Sequence, residues 1–153
     1  MLKRFITAAA AIGLVGCAAI APRSAQELAS APPEVVNEYR HQVDQPVALT
    51  YRNLLNKARE CWQQSTGIIL STTFFVEADP YDPSLGYARI SVRVKDLVPT
   101  VVTIRPEGDT RSLVIGRSMK MAGGAYQPSH RDLPNLHDWA TGKPVECRDR
   151  MLF

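Results

Sequence analysis

The stretch YARISVRVK, Tyr87–Lys95, alternates strictly between two kinds of side chain. Ala88, Ile90, Val92 and Val94 fall on one side, and Tyr87, Arg89, Ser91, Arg93 and Lys95 on the other. A period of two belongs to a β-strand with one face on a core and the other on water. Such a strand needs neighbours, and the flanking sequence supplies them. Upstream, IILSTTFFVEA (Ile68–Ala78) is rich in β-branched and aromatic residues. DPYDPSLG follows, and its two prolines and glycine read as a break. Downstream, DLVP leads to TVVTIR, with Val102 and Ile104 in phase. PEGD is a compact turn, and RSLVIGRSM (Arg111–Met119) is a fourth strand. Its phase stays open, because Leu113 and Ile115 compete with Val114 for the core.

Consecutive strands with short joins predict an antiparallel meander covered on one face. The cover is helical. TYRNLLNKARECWQQSTG repeats Tyr51, Leu54, Leu55, Ala58, Cys61 and Trp62 at helical spacing. Thr50 can cap its start and Gly67 can end it. KMAGGAYQPSH is a loop. DLPNLHDWATG then reads as a short helix with Asp132 as cap, Leu133, Leu136, Trp139 and Ala140 as its apolar side, and Gly142 as its stop. The expected fold is α+β: a four-stranded antiparallel meander with two helices on one face, in the order α-β-β-β-β-α.

The N-terminus gives an address. Lys3 and Arg4 precede the uncharged run FITAAAAIGLV. As a helix this run spans about 17 Å at about 1.5 Å per residue. A bilayer core needs about 30 Å, so the run has the proportions of a signal-peptide h-region. It ends in LVGC, Leu14–Cys17. These residues resemble the lipobox of bacterial lipoproteins, Leu-x-Gly-Cys. The resemblance implies a diacylglycerol thioether on Cys17, cleavage just before it, and acylation, as by palmitate, of the new amino group. Several acyl chains hold a protein firmly at a membrane where one does not. Ala18 and Ala19 follow instead of the Asp that in this family often retains a lipoprotein at the inner membrane. The expected location is therefore the outer membrane, periplasmic side. Residues 1–16 read as the signal peptide, and 17–47, rich in Ala, Pro and Ser, as the lipidated cysteine and a flexible tether. Residues 48–153 read as one periplasmic domain. The helix with its Cys61-Trp62 pair and the meander look like uncharacterised lipoproteins of Bordetella-type proteobacteria, a resemblance that implies no activity.

Charge limits the partners. The formal net charge of +3 includes Lys3 and Arg4; without them 16 basic residues face 15 acidic ones. So near-neutral a domain does not call for nucleic acid. With Cys17 lipidated, Cys61 and Cys147 remain, an even pair in a disulfide-permissive compartment, with Cys61 on the buried stripe. A Cys61–Cys147 bridge is expected.

Chemistry-bearing motifs are sparse. His130, Asp132 and His137 straddle a helix start awkwardly for one metal, and surface histidines with a cap explain them better. Asp79 and Asp82 lack the spacing of a calcium loop and suit turn chemistry. AGGAY lacks the ending of a phosphate loop, although Arg117 and Lys120 lie near it. There is no GxSxG and no HExxH. No cofactor or metal is expected. The polar strand face is the candidate site: Tyr87, Arg89, Arg93, Lys95 and Arg105 would form a docking surface for an acidic protein, a lipopolysaccharide phosphate or a cell-wall carboxylate. The expected function is a non-catalytic interaction or accessory module in envelope assembly or maintenance. A small hydrolase-like envelope enzyme and a ligand-binding lipoprotein are the alternatives.

Overall fold

The computed structural model describes residues 21–63, 73–120 and 128–147. The proposed lipidation residue Cys17 and the start of the strand expected from Ile68 lie outside them. The elements run α1 (Ala25–Ser30), β1 (Val36–Val43), α2 (Val47–Trp62), β2 (Phe74–Asp82), β3 (Tyr87–Val94), β4 (Leu97–Pro106), β5 (Ser112–Met119), α3 (Pro128–Asp132), a 3-10 turn (Leu133–Asn135) and α4 (Leu136–Ala140). The class is α+β, and the sheet is wholly antiparallel in the order β1-β5-β4-β3-β2.

The sheet has five strands, not four. The added strand, β1, lies within the segment 17–47 expected to be a flexible tether, and pairs along its whole length with β5. Its sequence, VNEYRHQV, hides the strand because only Val43 of its inner face is aliphatic, the other positions being Asn37, Tyr39 and His41. An edge strand needs little burial, so polar residues are tolerated there. The same segment supplies α1, capped by Ser24, whose hydroxyl accepts from Glu27 N at 3.1 Å.

The two faces of the sheet carry different layers. Val43, Ala88, Ile90, Val92, Val102, Ile104 and Val114 form the main core with Leu54, Ala58, Cys61 and Trp62 of α2 and Leu136, Trp139 and Ala140 of α4. Val114 thus settles the phase of β5, and Leu113 and Ile115 turn to the opposite face. That face carries a smaller cluster, in which Leu28 of α1 packs on Val36, Val98 and Val101.

Two bulges adjust the edges. Between Asp79 and Asp82, β2 carries one residue more than β3, so the strand continues through Pro80 where a break was expected. Between Thr100 and Leu97, β4 carries one residue more than β3. This bulge accommodates Pro99, which cannot donate to a ladder.

The helix boundaries also shift. Pro46, with its fixed φ, caps α2 four residues before the expected cap, and the freed Thr50 hydroxyl meets Ser112 Oγ at 2.8 Å in the core. Asp132 is not an exposed cap but fully buried, and its Oδ2 accepts from Trp62 Nε1 at 3.1 Å. The expected C-terminal helix is consequently broken into α3, the 3-10 turn and α4. Gly142, at φ 76, ends α4 as anticipated.

Gly116 positions this C-terminal layer. A Cβ there would lie 2.5 Å from Leu136 Cδ1 and 3.0 Å from Leu133 Cδ2, both on fully buried side chains. Gly116→Ala should therefore destabilise by about 1–3 kcal/mol, although alanine suits a strand better than glycine. Thermal melting checks this, and an unchanged midpoint would show that residues 133–140 can move away without cost.

Candidate functional site

The residues expected to form one docking face do not stay together. β3 alternation does put Tyr87, Arg89 and Arg93 on the outer face, opposite the main core. That face is not bare, because α1 crosses it from β3 towards β5. Arg93 Nη1 reaches Arg23 O at 3.4 Å, just before α1, and Arg117 Nη1 donates to Ala29 O in its last turn and to Ala31 O at its C-cap. The Arg117 guanidinium thus satisfies carbonyls at the C-terminal end of α1, where no backbone N–H of the helix is left to meet them. Lys120 Nζ continues the attachment with bonds to Pro33 O and Glu34 O, each 3.1 Å.

Two of the arginines on this face are also matched by carboxylates. Arg93 Nε donates to Glu77 Oε1 at 2.5 Å, and Arg117 pairs with Glu38 across the β1–β5 ladder. Partial burial raises the Glu38 pKa, but bonds and charge from Arg40 and Arg117 outweigh it and hold the carboxyl below its usual value. Lys95 sits in the tight β3–β4 turn with φ 51, at the far end of β3 from Tyr87. Arg105 is exposed beside the other end, one step past Ile104, which pairs with Ala88. The structure thus gathers Tyr87, Arg89 and Arg105 and separates Arg93 and Lys95 from them.

Tyr87 and Arg89 adjoin the DPYDPSLG segment, which does more than interrupt the strands. The β2–β3 hairpin tip encloses an open groove of about 470 Å³. Tyr81, Leu85 and Tyr87 form its apolar lining, with Pro80 and Pro83, and Asp79 and Asp82 add carboxylates. Leu85 is 58 % exposed and Tyr81 39 %, and here the two line one groove, whereas Val35, Phe75 and Leu97 are exposed elsewhere on the surface. The tip is held in shape by Asp82 Oδ1, which accepts from Ser84 N at 2.8 Å and Ser84 Oγ at 2.7 Å. The Ser84 hydroxyl bond, then its amide bond, hold the Asp82 carboxyl below the usual range. Behind the groove, the Arg89 guanidinium lies 4.5 Å over the Tyr87 ring.

The remaining polar residues serve packing. Ser118 Oγ and His130 Nδ1 are 2.9 Å apart, but Ser118 is fully buried and offers a substrate no access. His137 meets Asp138 at 3.4 Å, so His130, Asp132 and His137 each have a different neighbour. Burial lowers the His41 pKa from its ordinary value, and a bond to the Leu133 backbone offsets part of that shift. Among the described residues no group of three or more His, Cys, Asp or Glu side chains could hold a metal ion. Among them, too, no helix is long and apolar enough to cross a membrane. Cys61 and Cys147 are joined, their Cα atoms 5.3 Å apart.

No protein-family model matches the chain, and no curated protein matches it. Among solved structures it is similar to protein CV1439 from Chromobacterium violaceum, with 15% identity, a TM-score of 0.41, and coverage of 73% of this chain and 99% of that one. It is also similar to the ZhuI aromatase/cyclase from Streptomyces sp. R1128, with 12% identity, a TM-score of 0.33, and coverage of 70% and 88%. At such scores neither likeness bears on what this chain does.

Proposed function

We propose that this chain is a lipid-anchored, periplasm-facing lipoprotein of the outer membrane, and that its domain works as a non-catalytic interaction module in the envelope. The observation that carries the interaction reading is the meeting of exposed Tyr81 and Leu85 around an open groove at the hairpin tip, with exposed Arg105 near it. Apolar side chains are left on a surface at some cost in solubility, and a cluster of them near a cation suits an envelope partner with an apolar knob and an acidic rim. The address rests on LVGC, and the Cys61–Cys147 bridge is in keeping with an oxidising compartment. A second reading, small-ligand binding, draws on the groove volume, which falls in the range of ligand clefts.

The test uses a photo-crosslinking residue at Pro83, on the hairpin tip, with Arg52 on α2 as the control position. In intact envelopes the Pro83 probe should give a discrete adduct that the Arg52 probe does not. Tyr81→Ser with Leu85→Ser should abolish it while leaving melting unchanged, since both side chains are exposed. Equal labelling from both positions, or an adduct that survives the double substitution, overturns the interaction reading. In parallel, Cys17→Ala should move the chain from the membrane fraction to the soluble one; retention at the membrane overturns the anchor.

A further inference from the structure

Arg89 is a buried cation without an anion. It is only 7 % exposed, yet among the described residues it enters no ion pair. Asp79 is its ladder partner, but the two form no ion pair. What compensates the charge is weaker: the Tyr87 ring below, and one bond from Nη2 to the neutral amide oxygen of Gln26 at 2.9 Å. Nε is buried with no partner at all. Burying a guanidinium in this way is costly, and arginines at such depth are ordinarily matched by a carboxylate.

The two atoms concerned share one edge of the guanidinium. Nε–H and Nη2–H point the same way, in the spacing that a carboxylate grips with two parallel bonds. Here a single amide oxygen fills half of that fork. Gln26 is itself exposed, on α1. A change of its rotamer uncovers the edge without moving the helix, which is held by Leu28 and by the bonds of Arg117. The neighbouring arginines show the contrast, since Arg93 and Arg117 already have Glu77 and Glu38.

We propose that the Nε/Nη2 edge of Arg89 is a subsite for a ligand carboxylate, and that Gln26 stands in for that carboxylate when the subsite is empty. The subsite does not depend on the hairpin reading: crosslinking at Pro83 and anion binding at Arg89 are separate measurements, and either can fail alone.

The experiment follows the Arg89 Nε–H resonance in the purified full chain in neutral detergent. Sodium acetate is titrated at constant ionic strength, with acetamide as the neutral control and inorganic phosphate as a second anion. Acetate should shift this resonance saturably, whereas exposed Arg105 should show no saturation. Gln26→Ala should tighten acetate binding about fivefold, the worth of one competing hydrogen bond. Gln26→Glu places a carboxylate on the fork within the chain. It should abolish the acetate response, move the resonance to its acetate-bound position and raise the melting temperature. Both variants alter an exposed side chain, so folding is preserved. The proposal is overturned if the Arg89 response is unsaturable or matches that of Arg105, if Gln26→Glu leaves the resonance where it was, or if phosphate binds more tightly than acetate.

Discussion

Replacing Cys61 and Cys147 together by alanine should lower the melting temperature by about 15–20 °C, the product of about 4.5 kcal/mol and the usual sensitivity of a domain this size. The bridge joins residues 86 apart in sequence, so it removes a large share of the freedom of the unfolded chain. It also joins elements that little else connects at that point. Cys61 lies fully buried in the last turn of α2, while Cys147 lies on the extended segment beyond α4. Without the bond, residues 143–147 keep Val145 against the core and the bond from Lys143 N to Asp138 O. The domain should remain folded at room temperature if its stability is ordinary for its size, since 4.5 kcal/mol falls at the lower edge of the usual 5–15 kcal/mol. Calorimetry of the double variant, with reduced wild type beside it, checks the figure. A loss below about 1 kcal/mol would mean that the unfolded chain is already compact, so that the bridge constrains nothing.

Trp62→Ala should cost about 4 kcal/mol, at the upper end of what single substitutions do. Trp62 is the last residue of α2, and its ring lies 5.2 Å from that of Trp139 at an angle of 50°. Its indole N–H also donates to the buried Asp132 carboxylate. Truncation therefore opens a cavity between α2 and α4 and takes a donor from a buried acid. Trp62→Phe separates the two effects, because it keeps most of the ring and loses only the donor; about half the cost should remain. Urea midpoints at unchanged slope measure both. If Trp62→Ala costs less than about 2 kcal/mol, the layer from Asp132 to Ala140 closes over the gap instead of being held by it.

These two predictions rest on residues that were legible in the sequence. The stripe of Leu54, Ala58, Cys61 and Trp62 and the alternation of Ala88, Ile90 and Val92 are periodic because each has one dry side, and period is what a sequence displays. β1 and α1 lack that signal. β1 is a polar edge, and α1 buries Leu28 alone, so six residues of helix leave no repeat to detect. The candidate site was half legible for the same reason. Strand phase assigned Tyr87 and Arg89 to one face, but could not show that Gln26, 63 residues away, would cover it. The two prolines of DPYDPSLG marked an interruption, and the bulge between Asp79 and Asp82 turned that interruption into the wall of a groove.

The strapping of α1 across the sheet sets a length scale for encounters. If Cys17 is the point of attachment, as proposed, Ser24, the cap of α1, is only seven Cα steps away. Fully extended, they reach about 25 Å; a chain free as far as residue 47 would have reached about 100 Å. The domain is thus confined to a shell next to the leaflet, a few nanometres deep, and its local concentration there rises as the accessible volume shrinks. A partner farther than that from the bilayer has to come to it.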